Sequence, residues 1–314
     1  MIQKMINTYV NKIYSYSNRY SDIGSENNCI FVAGSGRSGT TWLASILSEI
    51  YAYRILFEPF YSLHIQVDGI NDFFHHRFID NGESKYNKDI EFVLKGKYKM
   101  KYRNPLFRTY KGRIVKDICA NLFLHIIHEI MPRLPIIFIV RHPCSVVLSR
   151  LKKREWSSEW GLHADIFNNQ KLLIDKFFNG RIYKPQNELE DHIITYCFEN
   201  FYPLKVLKGC DYIYQIYYES LLLDFENQMT KLVDYIEAFS NQRAKVKSIK
   251  SILGTTSLAN PNNLELILQK PIEHVEQWKK SLKGKDIQKI LNILDDFELG
   301  FVDKDISSYA ESFK

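Results

Sequence analysis

Ile30-Phe31-Val32-Ala33-Gly34-Ser35-Gly36-Arg37-Ser38-Gly39-Thr40-Thr41 carries a short apolar run into a glycine-rich turn and out into a helical pattern, with one arginine inside the turn. Gly34, Gly36 and Gly39 let the backbone approach a ligand closely and aim its N–H groups at one point. Thr40 and Thr41 open a helix whose positive dipole end faces that same point. The pattern predicts a cradle for a phosphate-like anion at a strand-to-helix junction.

The turn itself narrows the chemistry. A nucleotide-triphosphatase loop reads Gly-x-x-x-x-Gly-Lys-Ser/Thr, its lysine on the terminal phosphates and its hydroxyl on Mg²⁺. Gly34 and Gly39 keep the glycine spacing, but Thr40 stands at the lysine position and the cation, Arg37, comes three residues earlier. The best later apolar strand, Pro135 to Val140, ends in Arg141 and not in the aspartate that such enzymes use for the metal. A magnesium triphosphate site is disfavoured, and no metal is expected. The adjacent His75-His76 has no partner at i+4 and no zinc-like spacing around it, so it reads as structural.

Three further stretches fall after strands. In Arg141-His142-Pro143-Cys144-Ser145-Val146-Val147-Leu148-Ser149 the arginine closes a strand and offers a fork for phosphate. Pro143 suits a first helical turn, which puts Ser149 about two turns on. Phe57-Glu58-Pro59-Phe60 follows the second strand and Tyr217-Tyr218-Glu219-Ser220 the last. Each alone also has a structural reading: a surface cation with a back-bonded helix serine, a glutamate held extended by its proline, a plain strand aromatic. In this order over residues 30 to 220, with the Arg37-Ser38-Gly39-Thr40-Thr41-Trp42 turn, they resemble the sulfotransferase family.

The resemblance implies a donor, 3′-phosphoadenosine 5′-phosphosulfate. Its 5′ end would meet Gly34, Gly36, Arg37, Ser38, Gly39, Thr40, Thr41 and Trp42, its 3′-phosphate Arg141 and Ser149, and its adenine Tyr218. Sulfuryl transfer in line, by analogy with phosphoryl transfer, asks for positioning and for charge stabilisation by Arg37, the amides of Ser38 to Thr41 and Lys116. The small-molecule branch places a basic histidine two residues after the strand-three lysine, where this chain has Ile118. That departure leaves Glu58, at the position used by carbohydrate-modifying relatives, as the expected general base, with Asp117 in reserve. The expected acceptor is a hydroxyl or amine of a carbohydrate, glycolipid or cell-surface polysaccharide, in a bacterial, carbohydrate-type branch. The alternatives are a P-loop small-molecule kinase and, in another class, a non-catalytic anion- or glycan-binding module.

At 314 residues and 45% hydrophobic content the chain can bury a large core. A net charge of +6 suits a polyanionic co-substrate but is too small to argue nucleic acid. Five cysteines without a CxxC pair read as reduced thiols. Met1 to Tyr20 has no apolar signal core and no run reaches membrane-spanning length, which points to a cytoplasmic protein without an integral membrane segment.

The order of elements predicts an α/β fold of three layers: a mainly parallel five-stranded sheet with helices on both faces, like the P-loop nucleotide kinases. Strands are expected at Cys29 to Ala33, Tyr53 to Phe57, Arg113 to Lys116, Leu134 to Val140 and Asp211 to Tyr217, and helices at Thr40 to Tyr51 and Pro143 to Lys152. The whole chain, 1–314, reads as one domain with a core over about 28–240, insertions at about 60–112 and 153–185, and a helical tail at about 271–297. Lys95, Lys97, Lys99, Lys101 and Arg103 share one face if extended, followed by Arg108, Lys111 and Arg113. That basic stripe fits an anionic glycan or a solvated edge strand equally well. Trp156 and Trp160 suit either a sugar-stacking lid or simple packing. The stretch 251–260 and Trp278 are candidates to close over the donor.

Overall fold

Ile30, Val32, Ile114, Val115, Ile137, Ile139 and Val140 are β-branched and wholly buried, the composition of strands covered on both faces. In the computed structural model, which describes residues 22, 25, 27–61, 76–81, 86–98, 110–153, 162–240, 243–244 and 270–313, they build five parallel strands. These are β1 (Cys29–Gly34), β2 (Arg54–Phe57), β3 (Arg113–Asp117), β4 (Ile136–Val140) and β5 (Ile213–Tyr217), in the spatial order β2-β3-β1-β4-β5. Ala33 lies opposite Asp117, Gly34 opposite Ile139, Phe57 opposite Lys116 and Val140 opposite Tyr217. That register levels the C-terminal ends of all five strands. The chain steps outward on opposite sides of β1, so the crevice for a ligand opens at the ends of β1 and β4.

Helices follow as α1 (Thr40–Tyr51), α2 (Asn87–Leu94), α3 (Leu124–Ile130), α4 (Pro143–Leu151), α5 (Leu162–Asn168), α6 (Lys171–Phe178), α7 (Glu188–Phe201), α8 (Tyr218–Leu223) and α9 (Phe225–Phe239). The tail forms α10 (Pro271–Val275), α11 (Gln277–Ser281), α12 (Gly284–Asp296) and α13 (Phe301–Glu311). Side chains of β1 alternate between the two layers. Ile30 and Val32 pack with Leu43 and Leu47 of α1 and with Met229 and Leu232 of α9. Phe31 and Ala33 pack on the other side with Phe123, Val147 and Phe198.

The strand and α1 boundaries follow the sequence expectation to within two residues. The tail runs beyond residue 297, through α13 to Glu311. Lys95 closes α2 and pairs with Glu91 at 2.8 Å, so the basic stripe does not begin as an extended strand. Lys99, Lys101, Arg103 and Arg108 lie outside the described residues, as do His75, Trp156, Trp160, residues 251–260 and Met1 to Tyr20. No helix among the described residues is long and apolar enough to cross a membrane.

Arg113 belongs to the core and not to a surface stripe. It stands opposite Arg54 at the strands' N-terminal ends, and both guanidinium groups meet Asp22, at 2.7 and 3.2 Å. Arg113 also donates to the Leu94 carbonyl and Arg54 to that of Gly96, tying the first insertion to the sheet. Removing one partner of a buried ion pair strands the other charge, at a cost of about 3–5 kcal/mol. Asp22→Ala should lower unfolding free energy by about 3 kcal/mol in a denaturant titration; a loss near zero would mean that the two arginines are satisfied without the carboxylate.

Candidate functional site

Ser35 to Gly39 link β1 to α1 as a tight turn. The Ser38 amide closes it on the Ser35 carbonyl at 3.1 Å, so that amide serves the loop, contrary to the expectation that it faces a ligand. The first bond within α1 runs from Leu43 N to Gly39 O at 3.0 Å. The amides of Thr40, Thr41 and Trp42 therefore have no acceptor inside the helix, which is the geometry of an anion site. Gly39 caps α1 at φ 94°, and a Cβ there would stand 2.6 Å from Cδ2 of Tyr218, so only glycine fits. Arg37 takes φ 76° without being glycine, a strain of about 1–3 kcal/mol that surrounding contacts must hold in place.

Those contacts come from behind the loop. Arg150 Nη2 donates to the Gly36 carbonyl at 3.1 Å, to Ser35 Oγ at 3.1 Å and to Glu199 Oε2 at 2.6 Å. Ser35 Oγ also donates to Glu199 Oε2, and Arg150 and Glu199 are fully buried. His76 Nε2 lies 3.7 Å from Glu199 Oε1; burial, then the charge of Arg150, pulls its pKa down to about 3, so the ring is neutral. Neither Arg150 nor Glu199 is foreseen by the sequence reading. Arg150 carried a weak signal as the cation directly after Ser149, whereas Glu199, on α7, carried none.

The predicted 5′ and 3′ segments meet. Arg37 Nε donates to Ser149 Oγ at 3.0 Å, and Arg141 Nη1 donates to the Arg37 carbonyl at 3.1 Å. The Arg141 guanidinium lies 4.5 Å over the ring of Tyr218, whose edge contact with Trp42 is 5.6 Å between centroids. Tyr218 Oη is 3.4 Å from His274 Nε2, and burial, then Arg141, holds that histidine's pKa down to about 4. Ser38 Oγ, Trp42 Nε1 and Arg141 Nε are buried without a hydrogen-bond partner among the described residues. Three orphaned donors around one crevice fit an anionic ligand with many acceptors.

A second corner forms where β2 and β3 end. Lys116 Nζ pairs with Glu58 Oε1 and sits 4.3 Å over the ring of Phe57. Glu58 is itself left-handed, at φ 50°, and its amide donates to the Lys116 carbonyl at 2.6 Å. Asp117 is wholly buried: its Oδ2 accepts from Phe60 N at 2.8 Å and its Oδ1 from Cys119 N at 2.6 Å. Both oxygens are thus engaged in holding the turns on either side. Burial outweighs those bonds and pushes the carboxyl up from 3.8 to about 7.

The tail closes this end of the sheet. His142 caps α4 by accepting from Cys144 N through Nδ1, and its Nε2 meets Asp303 Oδ1 of α13 at 2.8 Å. Trp278 stacks on the same ring, 4.3 Å between centroids. Glu219 Oε1 accepts from His142 N at 3.0 Å, and burial raises its pKa. In the sequence His142 and Glu219 stand inside the stretches 141–149 and 217–220, where nothing local marks them as partners of each other or of the tail.

The profile of the sulfotransferase family matches residues 29–239, two thirds of the sequence. The chain belongs to the sulfotransferase family. Solved structures similar to it include a mouse sulfotransferase, SULT7A1, complexed with PAP, at 15% identity over 96% of this chain and 95% of that one, with a TM-score of 0.47. The sulfotransferase domain from the curacin biosynthetic pathway matches at 14% identity over 85% and 96%, TM-score 0.45. Sulfotransferase STF9 from Mycobacterium avium matches at 12% over 92% and 81%, TM-score 0.41. Among curated proteins, none matches the sequence.

The Asp117 carboxyl of this sulfotransferase has a measurable consequence. It keeps its proton in the folded chain up to about pH 7 but loses it near 3.8 when unfolded, so its contribution to stability is full at low pH and is lost as pH rises. The expected slope is about 1.4 kcal/mol per pH unit between about pH 4 and 7. In denaturant titrations, wild type minus Asp117→Asn should fall with that slope; a difference that stays flat would mean the carboxyl titrates in the ordinary range.

Proposed function

We propose that the chain transfers a sulfuryl group from 3′-phosphoadenosine 5′-phosphosulfate to a hydroxyl or amine of a carbohydrate, glycolipid or surface polysaccharide. The observation that carries the reading is the joining of two anion-binding segments: Arg37, in the loop after β1, bonds Ser149, while Arg141, after β4, bonds back to Arg37 and covers Tyr218. A ligand with anionic groups at both ends and an aromatic base suits that arrangement. The donor supplies an electrophilic sulfur and a phosphate leaving group.

Arg37, the amides of Thr40, Thr41 and Trp42 and the two threonine hydroxyls meet the negative charge that grows on the departing side. Arg141 and Ser149 hold the 3′-phosphate, and Tyr218, packed against Gly39 and Trp42, takes the adenine. Glu58 accepts the acceptor's proton. Its carboxylate is oriented by Lys116 and its backbone by the β3 end. Asp117 acts as a positioning residue, since both of its oxygens are already engaged. Cys29, Cys119, Cys144 and Cys197 are buried outside any disulfide, which supports a reducing compartment such as the cytoplasm.

Two measurements test the reading together. Without magnesium, adenosine 3′,5′-bisphosphate at about a hundredfold its Kd should stabilise the protein by about 2.7 kcal/mol. Glu58→Gln should lower kcat by about 10²–10⁴ while leaving that protection intact. Protection by ATP with Mg²⁺ in place of the bisphosphate would replace the proposal with a kinase, and loss of bisphosphate protection in Glu58→Gln would make Glu58 structural.

A further inference from the structure

The chain between α4 and α7 brings a second cluster of polar side chains together, outside the anion crevice. Glu188, Asp191 and His192 are spaced i, i+3 and i+4 on α7 and share one face of its first turns. His163, near the start of α5, meets that face, its Nδ1 lying 3.0 Å from Asp191 Oδ2. One ligand atom from each of His163, Asp191 and His192 falls within 4.8 Å of the others. The buried member is the telling one. Both ring nitrogens of His192 are buried without a hydrogen-bond partner among the described residues, and Nε2 stands 3.6 Å from Glu188 Oε1, itself buried and without such a partner.

A pair of orphaned imidazole nitrogens is costly in a protein interior unless something binds them. We propose that His163, Asp191 and His192 form a binding site for a transition-metal dication of the zinc class. Two imidazoles and a carboxylate are a donor set that zinc takes readily, whereas magnesium and calcium prefer oxygen alone. Metal bonds of about 2.0–2.2 Å put ligand atoms about 3.4 Å apart, so closing the site from separations within 4.8 Å asks for a contraction of at most about 1.4 Å.

The site is a staple for the anion loop and lies apart from the chemistry. Asp191 Oδ1 already accepts from Ala164 N at 3.0 Å, so the start of α5 is seated on α7 before any metal arrives. The carbonyl of His192 accepts from Arg150 Nη1 at 3.3 Å, and Glu199, two turns further along α7, holds the other side of the same guanidinium. Clamping α5 to α7 therefore fixes the helix that positions Arg150 behind Ser35 and Gly36. The binding energy appears as stability of the folded chain.

The test uses the full chain, stripped with a chelator and then titrated with Zn²⁺ by calorimetry and with Co²⁺ by visible absorption. Wild type should bind one ion per chain, show the intense visible bands of a four-coordinate cobalt site, and unfold at a higher temperature with Zn²⁺ than with Mg²⁺. His163→Gln, at the more exposed ligand, should lose at least tenfold in zinc affinity and lose the cobalt bands, while adenosine 3′,5′-bisphosphate still protects it. Absence of saturable zinc binding by wild type overturns the proposal. So does binding that survives unchanged in both His163→Gln and His192→Gln, which would leave the cluster as an ion pair capping α5.

Discussion

The ion pair between Arg150 and Glu199 is the constraint on which the anion site depends. A buried pair of this kind gives little net stability, since the Coulomb attraction mainly offsets the loss of hydration. Its effect is geometric. One guanidinium joins the carbonyl of Gly36, the hydroxyl of Ser35 and a carboxylate from α7, so the loop after β1 is fixed to two helices that lie far from it in sequence. The loop needs such a backing because Arg37 and Gly39 both have left-handed backbones, and a turn of that shape would relax if nothing behind it resisted.

The sheet register does for the second corner what the ion pair does for the first. Phe57 is opposite Lys116, and Ala33 is opposite Asp117, so the residues just past β1, β2 and β3 emerge at one level. Glu58 then meets Lys116 without any long reach, and Asp117 spends both oxygens on the turns that follow β2 and β3. Adjacent residues of one strand point to opposite faces, which is why Lys116 and Asp117 have different fates. Lys116 joins the glutamate in the crevice, and Asp117 goes into the core with a carboxyl that prefers its proton.

Much of this was legible in the sequence because the signals were local. The strands are short runs of β-branched residues between turns, and Thr40 to Tyr51 is a helix with a glycine cap immediately before it. The spacing from Arg141, between β4 and α4, to Ser149 on α4 brings both against Arg37. What escaped was set by tertiary contact. Arg113 sat in a row of basic residues and looked like part of a surface stripe, yet its register partner is Arg54 and its counter-ion, Asp22, lies 91 residues away. Glu199 has no neighbour in sequence that betrays its partner 49 positions earlier. The helix that carries Asp303, Phe301–Glu311, lies beyond the tail expected at about 271–297.

Residues that neighbour one another in this site belong to different layers, and that arrangement separates binding from support. Arg37, Ser149, Arg141 and Tyr218 lie at the mouth of the crevice, with three unsatisfied donors among or beside them. Arg150, Glu199 and His76 lie directly behind and closed to solvent, the two charges paired with each other and the ring neutral. A cation in front can trade its protein contacts for those of a ligand at little cost, because the hydrogen bond from Arg37 to Ser149 is exposed and leaves neither partner desolvated when exchanged. The cation behind cannot, because its exchange partner would be a desolvated carboxylate. The position of Arg37 inside the turn, which first distinguished this loop from a nucleotide-triphosphatase loop, is therefore the movable half of a paired device whose fixed half is Arg150.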